Sequence, residues 1–159
     1  MSTADAQLPV APALSGPAPR ILIISAPYYR DVVEGMRAAA QAVLAQVSAE
    51  VELVEVGGAY ELAQALAIAG ASDQEFDGYI ALGCVVRGET DHYEFICSSA
   101  MDALLGVACA DAACLGTALL TVDTLAQAQA RSRETGHNKG AEAAVACLKQ
   151  IVIKRKFAA

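Results

Sequence analysis

Four apolar runs, each broken by a turn and followed by apolar residues at helical spacing, constrain this chain more than any other feature. Ile21-Leu22-Ile23-Ile24 is continuous and branched, as expected of a strand covered on both faces. Pro27-Tyr28-Tyr29 ends it, and from Asp31 the positions Val33, Met36, Ala40, Val43, Leu44 and Val47 recur at helical intervals. A second strand is read between Glu50 and Val56, and the turn Gly57-Gly58-Ala59 leads into a short helix through Leu62, Ala65, Leu66 and Ala69. Tyr79 to Val86 is a third strand. Gly88 breaks it, and Thr90 is expected to cap a helix that continues through Phe95, Ile96 and Met101. Cys114 to Val122 is a fourth strand. Thr124-Leu125-Ala126-Gln127 has the form of a capping box, so a helix starts there, carries Arg131 near its far end and stops at Gly136. Asn138 caps the last helix, whose Ala141, Ala144, Val145, Leu148 and Ile151 line one face. The alternation predicts an α/β fold: a parallel sheet of at least four strands, right-handed crossovers and helices on both faces.

With 159 residues, 55% of them hydrophobic, the chain suits one compact domain, read over residues 20–159. Residues 1–19 hold Pro9, Pro12, Pro17 and Pro19 and are expected to form a flexible tail, of which Gln7-Leu8 and Val10-Ala11 could lie along a neighbouring sheet edge. A formal charge of −7 argues against nucleic acid or an anionic membrane as partner, so an anionic ligand must meet a local basic cluster. The five cysteines, Cys84, Cys97, Cys109, Cys114 and Cys147, form an odd set without metal-ligand spacing, and buried free thiols in a reducing compartment are expected, with no metal site. The N-terminus lacks the pattern of a signal peptide and no uninterrupted apolar segment is long enough to span a bilayer, so a soluble, cytoplasmic protein is expected. Lys154-Arg155-Lys156 reads as compensation of the last helix's dipole.

In an open α/β sheet, ligands bind outside the carboxyl ends of the strands. There this chain offers an aromatic face in Tyr28, backbone donors around Gly58 to Glu61 and a phosphate-type turn at Gly88 to Thr90. His92, in the first turn of a helix, is placed to accept a proton. Arg131 and Lys139, eight residues apart across a helix break, are cations that could converge on an anion. Singly, each has a plainer use: Tyr28 as core packing, Arg131 and Lys139 as surface charges. No Ser/His/Asp order, P-loop or GxGxxG is present, which weakens hydrolase, NTPase and dinucleotide readings. Cys84 lies within an apolar strand, where a thiolate nucleophile is disfavoured.

The segments Val56-Gly57-Gly58-Ala59-Tyr60-Glu61-Leu62, Leu82-Gly83-Cys84-Val85-Val86-Arg87-Gly88-Glu89-Thr90-Asp91-His92-Tyr93, Leu119-Leu120-Thr121 with Gln127-Ala128, and Asn138-Lys139-Gly140-Ala141-Glu142-Ala143-Ala144 resemble, in order and spacing, the signature blocks of the lumazine synthase family. The resemblance runs from about Arg20 to the C-terminus. It implies a three-layer α/β/α sandwich of flavodoxin-like type, with a four-stranded, mainly parallel sheet. The activity it implies joins 5-amino-6-ribitylaminouracil to 3,4-dihydroxy-2-butanone 4-phosphate in riboflavin biosynthesis, with no cofactor or metal. Carried over residue by residue, it makes Tyr28 the stacking aromatic and Ala59, Tyr60, Glu61, Cys84, Val85 and Val86 the pyrimidine and ribityl contacts. Glu89 and Thr90 become the phosphate turn, His92 the proton-transfer residue, Arg131 the phosphate-binding arginine and Lys139 the basic residue beside it. Thr117 stands where an aromatic from the adjacent subunit is common. The implied partners are further copies of the chain, as a homopentamer or a sixty-subunit shell, and riboflavin synthase. The chain departs from the family at Gly57 and Ala63, where Pro is usual, and at Tyr29, where Asn is frequent. A non-catalytic lumazine- or flavin-binding or shell-forming relative is the competing reading, and a flavodoxin-like regulatory domain a more distant one.

Overall fold

A computed structural model of the protein describes residues 9–133 and 137–158. Four strands, β1 (Arg20–Ser25), β2 (Glu50–Glu55), β3 (Gly78–Val86) and β4 (Leu115–Val122), form one sheet in the order β2-β1-β3-β4, and every neighbouring pair is parallel. Helices α1 (Arg30–Ala45), α2 (Ala59–Gly70), α3 (His92–Ala110), α4 (Leu125–Ala130) and α5 (Lys139–Ala158) complete the chain. The four strands, their parallel pairing and the helices between them are those the apolar runs predict.

β1 and β3 are central. Ile21, Ile23 and Ile24 are fully buried, as are Ile80, Ala81 and Leu82 of β3. Alternate residues feed two separate cores. Ile21, Ile23, Ile80, Leu82, Leu120 and Val122 pack with Met36 and Leu44 of α1 and with Ala144 and Leu148 of α5. Leu22, Ile24, Tyr79, Ala81 and Leu119 pack with Leu62 and Leu66 of α2 and Ala100 and Leu104 of α3. This is the three-layer α/β/α sandwich, with both faces of a branched sheet covered. β2 is an edge strand whose Leu53 and Val54 remain exposed, and Glu50, Glu52 and Glu55 line it with charge.

Small residues let the layers meet. A methyl on Gly116 of β4 would enter the carbonyl of Ala143 in α5, and one on Gly140 of α5 would enter the carbonyl of Met36 in α1. The start of α5 is thereby pressed against both the sheet and α1.

Several expectations change. Thr90 does not cap α3: it lies in a bend, the N-cap position is Asp91 in helical conformation, and no side chain there bonds the helix start. A cap needs an extended backbone to aim its oxygen at the first amides, which Asp91 at φ −66° and ψ −4° does not provide. The capping box at Thr124 forms, with its hydroxyl accepting from the Gln127 amide at 3.3 Å and the Gln127 side chain accepting from the Thr124 amide at 3.3 Å. The helix it starts ends at Ala130, ahead of the expected stop at Gly136, which lies outside the described residues, as do Gln7 and Leu8. Lys154 and Arg155 are cross-links, beyond simple dipole compensation. Lys154 donates to the Ala112 carbonyl at 3.1 Å, and Arg155 donates to the Ser15 carbonyl at 2.6 Å and pairs with Asp77. Ala11 and Leu14 of the proline-rich segment pack against the core on the α1/α5 side.

α3 meets the length and composition of a bilayer span without being an uninterrupted apolar segment, since it carries Glu94 and Asp102. It has 19 residues, and an 18-residue window within it reaches a mean hydropathy of 1.3. In the fold it is the crossover between β3 and β4, packed on α2 through Ala100 and Leu104, with Phe95, Met101 and Leu105 left exposed. Glu94 and Asp102 interrupt its outer surface.

Candidate active site

The strand order reverses between β1 and β3: the chain leaves β1 toward β2 on one side and leaves β3 toward β4 on the other. At the carboxyl ends of such strands the two following loops diverge and leave a crevice. A cleft of about 330 Å³ opens there, lined by Ala26, Tyr28 and Tyr29 after β1, Gly58 and Ala59 at the start of α2, Cys84, Val85 and Val86 of β3, and His92 and Ile96 of α3.

Tyr28 is 78% exposed, which rules out the core-packing use of this ring. It meets Tyr29 in a T-shaped contact, ring centroids 5.1 Å apart, and lines the cleft. Burial raises the Tyr29 hydroxyl above its ordinary pKa, with smaller contributions from Tyr28 and Cys84. Burial likewise pushes the Cys84 thiol up to about 11, so it is a neutral wall of the cleft, in keeping with its place on an apolar strand. Ala59 enters because α2 starts there, on an extended Gly58 that has no side chain with which to cap the first amides of the helix.

The remaining sequence candidates fall in two groups. Tyr60 and Glu61, in the first turn of α2, and Glu89 and Thr90, in the β3–α3 turn, are exposed residues at the rim, next in the chain to residues that line the cleft. Thr117, Arg131 and Lys139 are not among the residues lining it. Thr117 pairs in register with Ala81, five positions before the Val86–Val122 end of the β3–β4 ladder, or about 16 Å back along the strand. It lines instead a groove of about 640 Å³ between α3, β4 and α5.

Arg131 and Lys139 are brought together through their backbones, and their charged ends turn to different partners. The Lys139 amide donates to the Arg131 carbonyl at 2.9 Å, closing the turn between α4 and α5. Asn138 anchors this turn: its side-chain amide donates to the carbonyls of Gly35 at 3.2 Å and Arg133 at 2.9 Å, and its oxygen accepts from the amides of Gly140 at 2.8 Å and Ala141 at 3.4 Å. The Arg131 guanidinium lies back over the end of α4, donating to the Gln127 carbonyl at 2.8 Å, and the Lys139 ammonium pairs with Glu142 at 2.6 Å. Next to them a nitrogen of His137 and the second oxygen of Glu142 are buried without a partner among the described residues. Sequence reading did not single out those two residues; the signal available was their position flanking Asn138-Lys139.

Chemically, the cleft combines two tyrosine rings, apolar residues of β3, the start of α2 and an imidazole. Among the described residues no group of histidine, cysteine and acidic side chains is arranged to hold a metal ion. Such a site can stack a flat heterocycle and exchange a proton with it.

The sequence matches the family model described as 6,7-dimethyl-8-ribityllumazine synthase over residues 18–155. It is 38% identical to the 6,7-dimethyl-8-ribityllumazine synthase of Methylorubrum populi, across 96% of this chain and 91% of that protein. The enzyme of the same name from Bartonella tribocorum is 34% identical across 87% of this chain and 92% of its own length. The 6,7-dimethyl-8-ribityllumazine synthase 1 of Rhizobium meliloti is 38% identical across 87% and 94%. The matched length takes in the cleft, the β3–α3 turn and the Arg131–Lys139 corner alike, and on that extent of agreement the chain belongs to the 6,7-dimethyl-8-ribityllumazine synthase family.

Proposed function

We infer that the protein condenses 5-amino-6-ribitylaminouracil with 3,4-dihydroxy-2-butanone 4-phosphate to give 6,7-dimethyl-8-ribityllumazine, a transferase step of riboflavin biosynthesis. The observation that carries the reading is the cleft at the switch point, where Tyr28, Ala59, Cys84, Val85, Val86 and His92 line one space. A pyrimidine stacks on Tyr28 and meets the walls of β3. Ala59, Tyr60 and Glu61 hold its ribityl chain, and Glu89 and Thr90 take the phosphate end of the ketone. The pyrimidine brings its own amine, so the protein has chiefly to hold two reactants in register. The amine adds to the ketone carbonyl and water leaves as an imine forms; phosphate is then eliminated as His92 moves the proton; the ribityl-bearing nitrogen closes the ring with loss of a second water. This sequence needs no metal or cofactor.

Arg131 and Lys139 bind the phosphate from the adjoining protomer of a ring, with Thr117 at the contact. Two features support this: their distance from the cleft lining of their own chain, and the exposed apolar face of α3 with Phe95, Met101 and Leu105. The ring is a homopentamer, able to assemble further into a sixty-subunit shell and to pass its product to riboflavin synthase. The working unit is the single domain of residues 20–159, against which Ala11 and Leu14 of the preceding proline-rich segment pack. Unpaired buried thiols at Cys84, Cys114 and Cys147 suit a reducing cytoplasm.

The test is direct. Purified protein is mixed with both substrates after chelation of metals, and lumazine absorbance is followed; product above the spontaneous rate is expected. A rate equal to the background would favour a non-catalytic lumazine- or flavin-binding relative. Light scattering on the same sample should give a multiple of five chains, and a monomer would remove the shared-site reading.

A further inference from the structure

α3 begins without a cap, and its first residue is His92. The turn that delivers it is also unpacked: a methyl built on Gly88 would meet no atom within 4 Å. An uncapped helix start behind an open glycine turn is soft, and a proton-transfer side chain there needs another anchor. Arg87 supplies one. Its Nε donates to Asp123 Oδ1 at 2.8 Å, its Nη1 donates to Glu94 Oε1 at 2.7 Å, and the guanidinium carbon lies 4.2 Å from the centre of the Tyr93 ring. Its own amide donates to the Val122 carbonyl at 2.8 Å. One planar cation thus ties the end of β3 to the loop after β4 and to the two residues that follow His92. Single exposed ion pairs contribute little, but a fork engaged on two carboxylates and stacked on a ring fixes direction as well as distance.

The geometry points to Arg87 as a positioning residue for His92, one that holds the Gly88–His92 turn at the angle proton transfer requires and does not itself touch substrate. Two of its fork nitrogens already serve Asp123 and Glu94, and two carboxylates surround one positive charge, so a phosphate gains nothing by approaching it. The inference rests on the catalytic reading of His92 given above.

A double-mutant cycle tests it. In the otherwise intact enzyme, Arg87→Met should lower kcat about tenfold while KM for the pyrimidine, whose contacts lie outside the turn, stays within about twofold. In a His92→Gln background the same change should lower kcat by less than about twofold, because the side chain it positions is gone. Arg87→Lys, which keeps the charge but not the planar fork, should fall between wild type and Arg87→Met. Unchanged melting temperatures for the variants confirm that the fold is intact. An equal loss in both backgrounds, or a rise in KM for the phosphate substrate with unchanged kcat, would overturn the assignment. A His92→Gln enzyme with undiminished kcat would remove the reading of His92 and this inference with it, an outcome distinct from an Arg87→Met enzyme that loses nothing while His92→Gln does.

Discussion

Asn138 is 3% exposed and makes four hydrogen bonds, two as acceptor at the start of α5 and two as donor to Gly35 and Arg133. Asn138→Ala removes both halves. Loss of a capping oxygen costs about 1 kcal/mol. Each donor bond is worth about 1 kcal/mol net, at the lower end for Gly35, whose carbonyl also lies inside α1 and keeps its helical partner. The substitution should therefore destabilise the chain by about 3 kcal/mol. The halves can be separated: Asn138→Asp keeps the acceptor, and its charge suits a helix N-terminus, but its second oxygen stands where the amide nitrogen had donated to the two carbonyls. Urea denaturation of the three proteins at one concentration should show Asp no more than about 1 kcal/mol better than Ala. In the same variants, KM for the phosphate substrate should rise more than KM for the pyrimidine, since the turn carries Arg131 and Lys139 and the cleft lies elsewhere. If Asp restores wild-type stability, the tether to α1 contributes nothing and the argument that the cationic corner is held from Asn138 fails.

Arg131→Ala should weaken the phosphate substrate by about tenfold or more while leaving pyrimidine binding within about twofold, read from separate titrations; equal losses would count against its role. Gly116→Ala presses a methyl into the Ala143 carbonyl of α5 and should cost about 2 kcal/mol in urea denaturation, whereas Gly106→Ala, with nothing within 4 Å, should be neutral or stabilising. The Cys147 thiol is pushed up to about 12 from an ordinary 9.0 by burial, so the unfolded chain releases this proton at a pH where the folded one keeps it. Stability should then fall as pH rises between those values, and Cys147→Ala should flatten that limb of the profile. Iodoacetamide at pH 8 should label exposed Cys109 ahead of Cys84 and Cys147, by peptide mapping; early modification of Cys84 would contradict its burial.

Strand positions were legible because branched runs such as Ile21 to Ile24 have one stable use, a sheet interior. The Thr124–Gln127 box was legible for a similar reason: both reciprocal bonds lie within four residues. Thr90 was misread because side-chain type alone does not fix the backbone angles a cap requires. Lys154 and Arg155 looked like a local charge run because their partners, Ala112 and Ser15, are 42 and 140 residues away in the chain. Arg87 stood in full view inside the most informative motif, yet its partner Asp123 is 36 residues on, and only the β3–β4 register brings the two together. Of the residues the resemblance pointed to, Tyr28, Ala59, Cys84, Val85, Val86 and His92 line the cleft. That they share one space follows from the reversal of strand order, which no local pattern reports.

The rim of the sheet explains how a chain with so little acid-base equipment can hold a reactive geometry. Its four loops are lashed in pairs. Arg30, just after Tyr28 and Tyr29, pairs with Glu55, which immediately precedes the β2–α2 loop, at 3.2 Å; Arg87 does the same for the β3–α3 and β4–α4 loops. Each tie spans neighbouring strands, so the aromatic side of the cleft and its imidazole side are fixed by different cations. A salt titration separates them physically. Exposed pairs weaken as the Debye length shrinks from about 10 Å to about 3 Å, so stacking of the pyrimidine, an apolar contact, should persist at 1 M salt while kcat declines. Were pyrimidine affinity and kcat to fall in parallel, the rim would have to be treated as one unit, and the division of labour between Tyr28 and His92 would lose its structural basis.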